Sequence, residues 1–116
     1  MIWKTIKTNP YYEVSDEGQV RRIKDGKILK QYLQKSGYVY VWINRGYGNY
    51  SQPVHRLVCE AFHENPDKKE FVDHIDTNRS NNNANNLRWA TPEENNNNPI
   101  SLINKRKKKK ITKKQM

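Results

Sequence analysis

The fold is decided by Glu70-Phe71-Val72-Asp73-His74-Ile75-Asp76, which is followed after a polar loop by Asn86-Leu87-Arg88-Trp89-Ala90-Thr91. In each segment apolar and polar residues alternate, which is typical of a β-strand. Asp73 and His74 therefore point to opposite faces of the first strand. After the second strand, Thr91 can cap a short helix that has Pro92 in its first turn. The sequence predicts a strand, a loop, a strand and a helix, in that order.

Four polar residues in this frame have complementary chemistry. Asp73 offers a hard carboxylate ligand and Asn95 a neutral amide oxygen, a pair that suits Mg²⁺ when the ion keeps most of its waters. His74 can act as a general base, and the amide of Asn86 can orient its ring. A cation that neutralises charge on a phosphate, beside an imidazole that takes a proton from water, is what a metal-dependent nuclease requires.

Asparagine is so frequent here that spacing alone does not select the functional residues. Between residues 78 and 98, 10 of 21 residues are Asn. Because Asn85 precedes Asn86, a shift by one residue stays open, although the following Leu87-Arg88-Trp89 favours Asn86. Asn82 and Asn83 are candidates for work in the turn or for a contact with the DNA backbone, and the sequence does not separate them.

The first half of the chain predicts a small antiparallel sheet followed by a helix. Strand patterns are separated by turn signals that include Asp25-Gly26, and they cover residues 12–15, 19–23, 28–33, 38–43 and 50–52. Tyr38, Tyr40 and Trp42 share one face of their strand; we expect this face to be packed, with stacking on nucleic-acid bases as the alternative. Apolar residues at helical spacing predict a helix over residues 53–62.

Composition excludes several classes of protein. A chain of 116 residues is expected to form one domain, or one compact domain with appendages, and its 34% of hydrophobic residues predict a small core. There is no run of 18 apolar residues and no secretory signal at the start, so we expect no membrane span and a cytoplasmic location. The single Cys59 excludes an internal disulfide and a zinc-cysteine cluster, and we expect it to be a buried thiol.

The net charge of +10 is unevenly distributed. Residues 1–60 have 10 basic and 5 acidic side chains, a net charge of +5, whereas residues 61–104 have 4 basic and 7 acidic, a net charge of −3. Residues 105–114 add eight basic side chains. The acidic part thus surrounds the predicted metal ligands, and the basic parts are available for phosphates. The candidate nucleic-acid contacts are Arg21, Arg22, Lys24, Lys27, Arg56 and Arg88.

The order and spacing of these residues resemble a known family. His55-Arg56-Leu57-Val58 with Ala61-Phe62, the two strand segments and Glu94-Asn95 are similar to the HNH homing endonucleases of phages and introns. The resemblance covers roughly residues 53–98 and implies a β-β-α metal fold that cleaves DNA phosphodiesters. It implies that Asp73 and Asn95 bind the metal, that His74 activates water, and that Asn86 accepts from the His74 ring.

An N-terminal resemblance extends the match. Trp3-Lys4-Thr5-Ile6, Tyr12-Glu13-Val14-Ser15 and Gly18-Gln19-Val20-Arg21 look like a small module often fused before this nuclease. We therefore expect an α+β fold in which a small N-terminal antiparallel sheet precedes a helix and the β-β-α motif. The expected organisation is a β-rich DNA-binding module at 1–52, a nuclease module at 53–104 and a basic, disordered tail at 105–116.

The expected activity is nicking of double-stranded DNA with one divalent metal, Mg²⁺ first and Mn²⁺ as the alternative. One site per chain predicts a monomer that cuts one strand, and a dimer is the alternative. The phage resemblance places the protein in the cytoplasm of an infected bacterium. The competing hypothesis is a non-catalytic DNA- or RNA-binding protein on the same scaffold.

Overall fold

The N-terminal part of the chain folds into two three-stranded antiparallel sheets. The computed structural model describes residues 1–44, 46 and 48–99; residues 100–116, which include the predicted tail at 105–116, lie outside the described residues. The first sheet has the order β1-β2-β3, with β1 (Trp3–Ile6), β2 (Asn9–Ser15) and β3 (Val20–Arg22). The second has the order β4-β5-β6, with β4 (Tyr32–Leu33), β5 (Val39–Asn44) and β6 (Asn49–Pro53).

These two sheets replace the single sheet that the sequence predicts. The predicted strand at residues 28–33 is interrupted, because Ile28 forms an isolated bridge with Arg21 whereas Tyr32 and Leu33 pair with β5. The segment leaves the first sheet and enters the second. Alternation of apolar and polar residues identifies a strand, but it does not show which neighbouring strand pairs with each of its ends.

The strand β5 buries its aliphatic face. Val41 and Ile43 are fully buried, whereas the side chain of Trp42 is 53% exposed. The expectation that the aromatic face is the packed one is therefore wrong. The physical reason is that the helix α1 (Val54–Phe62) lies against β5, and the branched aliphatic side chains of the two elements form one close-packed cluster.

The helix α1 follows the predicted pattern. It begins directly after Pro53, whose φ of −71° suits a helix start, and it buries Val54, Leu57, Val58 and Cys59 on one side. Cys59 is the expected buried thiol, and burial raises its pKa to about 12, which keeps it protonated. None of the described helices is long and apolar enough to cross a membrane.

The second half of the chain has the predicted order of strand, loop, strand and helix. The strands β7 (Phe71–His74) and β8 (Leu87–Ala90) pair antiparallel, with Asp73 opposite Arg88 and His74 opposite Leu87. A 3₁₀ turn (Ala84–Asn86) leads into β8, and the helix α2 (Pro92–Asn96) follows it. Thr91 caps α2, since its hydroxyl accepts from the N–H of Glu94 and the Glu94 carboxylate accepts from the N–H of Thr91. The α+β fold class is confirmed.

One hydrophobic core joins the two halves of the chain. Its buried side chains come from both N-terminal sheets, from α1 and from the β7–β8 pair: Ile6, Tyr12, Val14, Val20, Val39, Val41, Ile43, Val54, Leu57, Val58, Cys59, Val72 and Leu87. The helix α1 contacts strands of all three sheets. The residues that carry the predicted chemistry therefore stand on a scaffold to which the N-terminal sheets contribute.

Leu57→Ala tests the central position of α1. Leu57 is 2% exposed, so truncation leaves a cavity in the shared core and is expected to lower the free energy of unfolding by about 2–5 kcal/mol. Urea denaturation followed by circular dichroism measures this loss. Leu33→Ala is the matched control, since Leu33 is 70% exposed and its truncation should change stability by no more than about 0.5 kcal/mol. Equal losses in the two variants would contradict the assignment of Leu57 to the core.

Candidate active site

A small cavity brings together three of the four residues that the sequence selects. Asp73 and His74 at the end of β7 and Asn95 of α2 line a space of about 120 Å³. The other lining residues come from the loop after β7, from β7 itself and from the residue before β5: Thr77, Arg79, Val72 and Tyr38. A space of this size holds an ion and a few water molecules, each of which takes about 30 Å³.

The imidazole of His74 is buried and held in one tautomer. Its ring nitrogen Nε2 lies 2.9 Å from Oδ1 of Asn82. Because an amide oxygen only accepts, this orientation of the Asn82 amide assigns the ring proton to Nε2. Nδ1 is left with its lone pair. Burial lowers the pKa of His74, with the hydrogen bond to Asn82 acting in the opposite direction. A neutral imidazole with a free Nδ1 is the form that accepts a proton near neutral pH.

Two aromatic rings form the wall behind His74. The ring of His55, on α1, lies 5.1 Å from the His74 ring, and the ring of Tyr38 lies 6.0 Å from it. His55 and Tyr38 also stack on each other at 5.0 Å. Burial lowers the pKa of His55 to about 4, so this neighbour stays neutral and adds no positive charge beside the His74 ring.

Asn86 does not make the contact that was expected of it. The partner of the His74 ring is Asn82, and the Asn86 amide instead closes the loop between β7 and β8. Oδ1 of Asn86 accepts from the N–H of Asp76 at 3.0 Å, and its Nδ2 donates to the Asp76 carboxylate and to the carbonyl of Asn81, both at 2.9 Å. The reason is the register: His74 pairs with Leu87, so Asn86 lies beyond the ladder and faces the loop.

Asp73 is buried and oriented by two donors. Its Oδ2 accepts from Nε of Arg88 at 2.8 Å and from Nδ2 of Asn98 at 3.0 Å. Among the residues that the structure describes, none donates to Oδ1, which leaves this oxygen available to a ligand. Asn98 is 1% exposed and also donates to the carbonyls of His74 and Ile75, so it fixes the end of β7. Arg88, expected at the DNA, is thus engaged with Asp73.

The donor set around the cavity fits a divalent cation. Asp73 supplies a carboxylate oxygen and Asn95 an amide oxygen, which are hard ligands of the kind that Mg²⁺ and Mn²⁺ prefer. Within residues 1–44, 46 and 48–99, no group of three or more His, Cys, Asp or Glu side chains could hold a metal. An ion bound here would keep most of its coordination positions for water and phosphate.

Arg79 is a site residue that the sequence pattern does not indicate. It is exposed and lines the cavity from the loop after β7. Its Nη1 donates to the carbonyl of Ser36 at 2.6 Å, and its guanidinium lies 4.7 Å from the centre of the Tyr38 ring. Both contacts reach the turn between β4 and β5. A single arginine in an asparagine-rich loop carries no spacing signal, so only the fold reveals this position.

Family models match both halves of the chain. The NUMOD4 motif matches residues 1–44, and the HNH endonuclease model matches residues 52–97. The DNA endonuclease I-HmuI of Bacillus phage SP01 is 40% identical over 102 residues, which cover 87% of this chain and 59% of that protein. The chain is homologous to the HNH homing endonucleases.

Two further comparisons place this HNH homologue more closely. The solved structure described as DNA binding and cleavage by the HNH homing endonuclease I-HmuI matches with a TM-score of 0.78 and 41% identity, over 87% of this chain and 59% of that one. The uncharacterized HNH endonuclease L245 of Acanthamoeba polyphaga mimivirus is 37% identical over 90 residues, 78% of this chain and 27% of that protein. The chain thus spans little more than half the length of I-HmuI. HNH nucleases generally depend on a divalent metal.

The predicted phosphate contacts of this HNH homologue differ in their availability. Arg21 pairs with Glu13 and lies 3.9 Å from the Trp3 ring, and Arg22 pairs with Asp25. Arg56 donates to the carbonyl of Glu70 at 3.0 Å and lies 3.6 Å from the Glu60 carboxylate. By contrast, Lys24 and Lys27 are exposed on the hairpin after β3. All six remain predictions as contacts with DNA.

Proposed function

We propose that this chain is a metal-dependent endonuclease that nicks one strand of double-stranded DNA. The observation that carries the proposal is the imidazole of His74, whose Nε2 faces Oδ1 of Asn82, in the same cavity as Asp73 and Asn95. A general base beside two hard oxygen ligands is suited to hydrolysis of a phosphodiester. Homology to I-HmuI, a DNA endonuclease, supports DNA as the substrate.

His74 acts on the attacking water. Its Nδ1 takes a proton as the water oxygen forms a bond to phosphorus, and the bond from phosphorus to the 3′ oxygen breaks. Asn82 holds the ring from the other side, so Nδ1 stays directed away from the loop. Asn86 contributes by closing the loop that carries Asn82, through its bonds to Asp76 and Asn81.

Asp73 and Asn95 are the residues that would hold the divalent cation, with Mg²⁺ preferred and Mn²⁺ as the alternative. When bound, such an ion neutralises negative charge that develops on the phosphate and the leaving oxygen. Arg88 and Asn98 keep the Asp73 carboxylate in place through Oδ2. Arg79 is placed to bind a non-bridging phosphate oxygen, since it is the cationic side chain that lines the cavity.

One such site per chain supports nicking by a monomer, and a double-strand break requires two chains or two visits. The lysines of the hairpin after β3 and the basic residues beyond residue 99 add sequence-independent attraction to the DNA backbone. Relatives from phages support the cytoplasm of an infected bacterium as the place of action.

The test is conversion of supercoiled plasmid. With Mg²⁺ or Mn²⁺ the protein should give open circles. EDTA should stop the reaction because it removes the cation, and the oxygens of Asp73 and Asn95 cannot themselves neutralise the negative charge on the phosphate. Raising the salt concentration should weaken binding steeply, which a fluorescence-anisotropy titration measures in parallel.

Three outcomes would contradict the proposal. Tight binding without nicking in either metal would favour the non-catalytic binding protein on the same scaffold. Full activity in EDTA would remove the roles given to Asp73 and Asn95. Linear product at early times and low protein concentration would contradict strand nicking by a monomer.

A further inference from the structure

We propose that the turn between β2 and β3 is a positioning element for His74, in which Gly18 supports Asn82 and Asn82 holds the imidazole. The inference rests on the proposed role of His74 as the base. It assigns the N-terminal sheet, matched by the NUMOD4 model, a part in the chemistry in addition to contact with DNA.

Gly18 approaches Asn82 closely. A Cβ atom built on Gly18 would lie 2.9 Å from Cβ of Asn82 and 3.0 Å from its carbonyl oxygen. Real Cβ atoms essentially never come as close as 2.9 Å, and 3.0 Å is tighter than nine in ten of their contacts, so a side chain at position 18 would force a shift against Asn82. Gly18 also has a φ of +85°, which an L side chain adopts only with strain.

Hydrogen bonds hold the turn between β2 and β3 in place. The hydroxyl of the fully buried Ser15 accepts from the N–H groups of Glu17 and Gln19, at 3.2 and 3.0 Å. Nε2 of Gln31 donates to the carbonyl of Gly18 at 2.6 Å. These hydrogen bonds fix the backbone of Gly18 beside Asn82. A Cβ atom at position 18 would therefore displace Asn82 more readily than it would displace the turn.

A direct hydrogen bond joins the turn to the loop that carries Asn82. The N–H of Ala84 donates to the carbonyl of Asp16 at 2.7 Å, two residues after Asn82. Asn82 is 5% exposed and its Oδ1 accepts from Nε2 of His74 at 2.9 Å. The chain of contacts therefore runs from the N-terminal sheet to the nitrogen that fixes the tautomer of the base.

Gly18→Ala and Gly26→Ala form a matched pair that tests this support. Both glycines have positive φ, +85° and +69°, but a Cβ on Gly26 meets nothing within 4 Å. Gly18→Ala should displace Asn82 and lower the single-turnover nicking rate at saturating DNA by between about ten- and a hundredfold. Its dissociation constant for DNA should change by less than about twofold, and Gly26→Ala should cut at the wild-type rate.

Nitrogen NMR of the histidine rings gives a readout that does not depend on cleavage. Wild type should show His74 with its proton on Nε2, assigned by comparison with His74→Ala. Gly18→Ala and Asn82→Ala should both shift the ring toward a mixture of tautomers. Asn82→Asp keeps an acceptor oxygen and should retain the wild-type tautomer, which separates loss of the hydrogen bond from general disturbance of the loop.

The results separate this inference from the proposed function. Wild-type tautomer and wild-type rate in Gly18→Ala, or equal losses in both glycine variants, would overturn the support by Gly18 while leaving the nuclease intact. If the wild-type protein nicked no DNA, the proposed function would be wrong. The NMR comparison of the variants would still show whether the turn holds the His74 ring. In the double variant, Gly18→Ala should cost nothing further once Asn82 is alanine, since both act through one bond.

Discussion

Replacement of His74 by alanine is expected to lower the nicking rate by at least about 100-fold, because positioned general bases contribute about 10²–10⁴ to such rates. The imidazole is the group in the cavity with a proton-accepting nitrogen near neutral pH, since its Nε2–H is committed to Asn82. Single-turnover conversion of supercoiled plasmid to open circles measures the loss. DNA affinity should stay within about threefold of wild type, because the buried ring offers little surface for binding and its proposed role is confined to the chemical step.

His63→Gln is the matched control for this variant. The His63 ring is half-buried and bonds to the carbonyl of Ala84 at 2.6 Å, outside the cavity, and glutamine keeps a group that can make this bond. We expect this variant to retain most of the nicking rate. Circular dichroism and thermal unfolding check that His74→Ala still folds. If a folded His74→Ala variant cut within a few-fold of wild type, the assignment of the base would be wrong.

Local patterns predicted the frame of the site correctly. The alternation around Asp73 and the helical spacing of the α1 residues each depend on neighbours close in the chain, and the structure contains both elements at the predicted places. Thr91 and Pro92 likewise predicted the start of α2, because helix capping depends on residues within one turn. Elements predicted from such short-range patterns are retained in the folded protein because the same apolar residues pack into the core.

Pairing over longer distances was not predictable in the same way. The split of the N-terminal strands into two sheets depends on which edge Tyr32 and Leu33 meet. The ion pair of Arg88 with Asp73 depends on the register of β7 against β8, which places the two residues opposite each other. A basic residue beside a predicted site resembles a phosphate contact until the register is known.

The asparagine-rich loop marks the limit of sequence reasoning for the site. Asn82 and Asn86 are chemically identical, and their different tasks follow from where the ladder ends and from what packs beside them. Asn82 meets the His74 ring because Gly18 and the 3₁₀ turn hold the loop against the first sheet. Asn86 faces Asp76 because the ladder stops at His74. The spacing of asparagines along the sequence shows neither the packing beside Asn82 nor the end of the β7–β8 ladder.

The same register makes Asp73 a decisive test of the metal hypothesis. Asp73→Asn is nearly isosteric but removes the charge that a divalent ion requires, so the nicking rate at moderate Mg²⁺ should fall by about 10³-fold, which corresponds to a loss of several kcal/mol of transition-state stabilisation. Part of that loss should be recovered at higher metal concentration. A titration of the single-turnover rate with Mg²⁺, repeated with Mn²⁺, measures both effects.

A competing explanation is that Asp73 matters only as the buried partner of Arg88, whose Nε lies 2.8 Å from Oδ2. Arg88→Met breaks this pair and leaves the carboxylate and its bond to Asn98 in place. If Asp73 binds the metal through Oδ1, Arg88→Met should cost no more than about tenfold in rate and should shift the Mg²⁺ titration far less than Asp73→Asn does. Equal rates and equal metal dependence in the two variants would assign Asp73 to the ion pair alone. If the Mg²⁺ dependence of the rate shifts in Asp73→Asn but not in Arg88→Met, Asp73 is assigned to the cation. Loss of a purely structural carboxylate would not change how the rate depends on metal concentration.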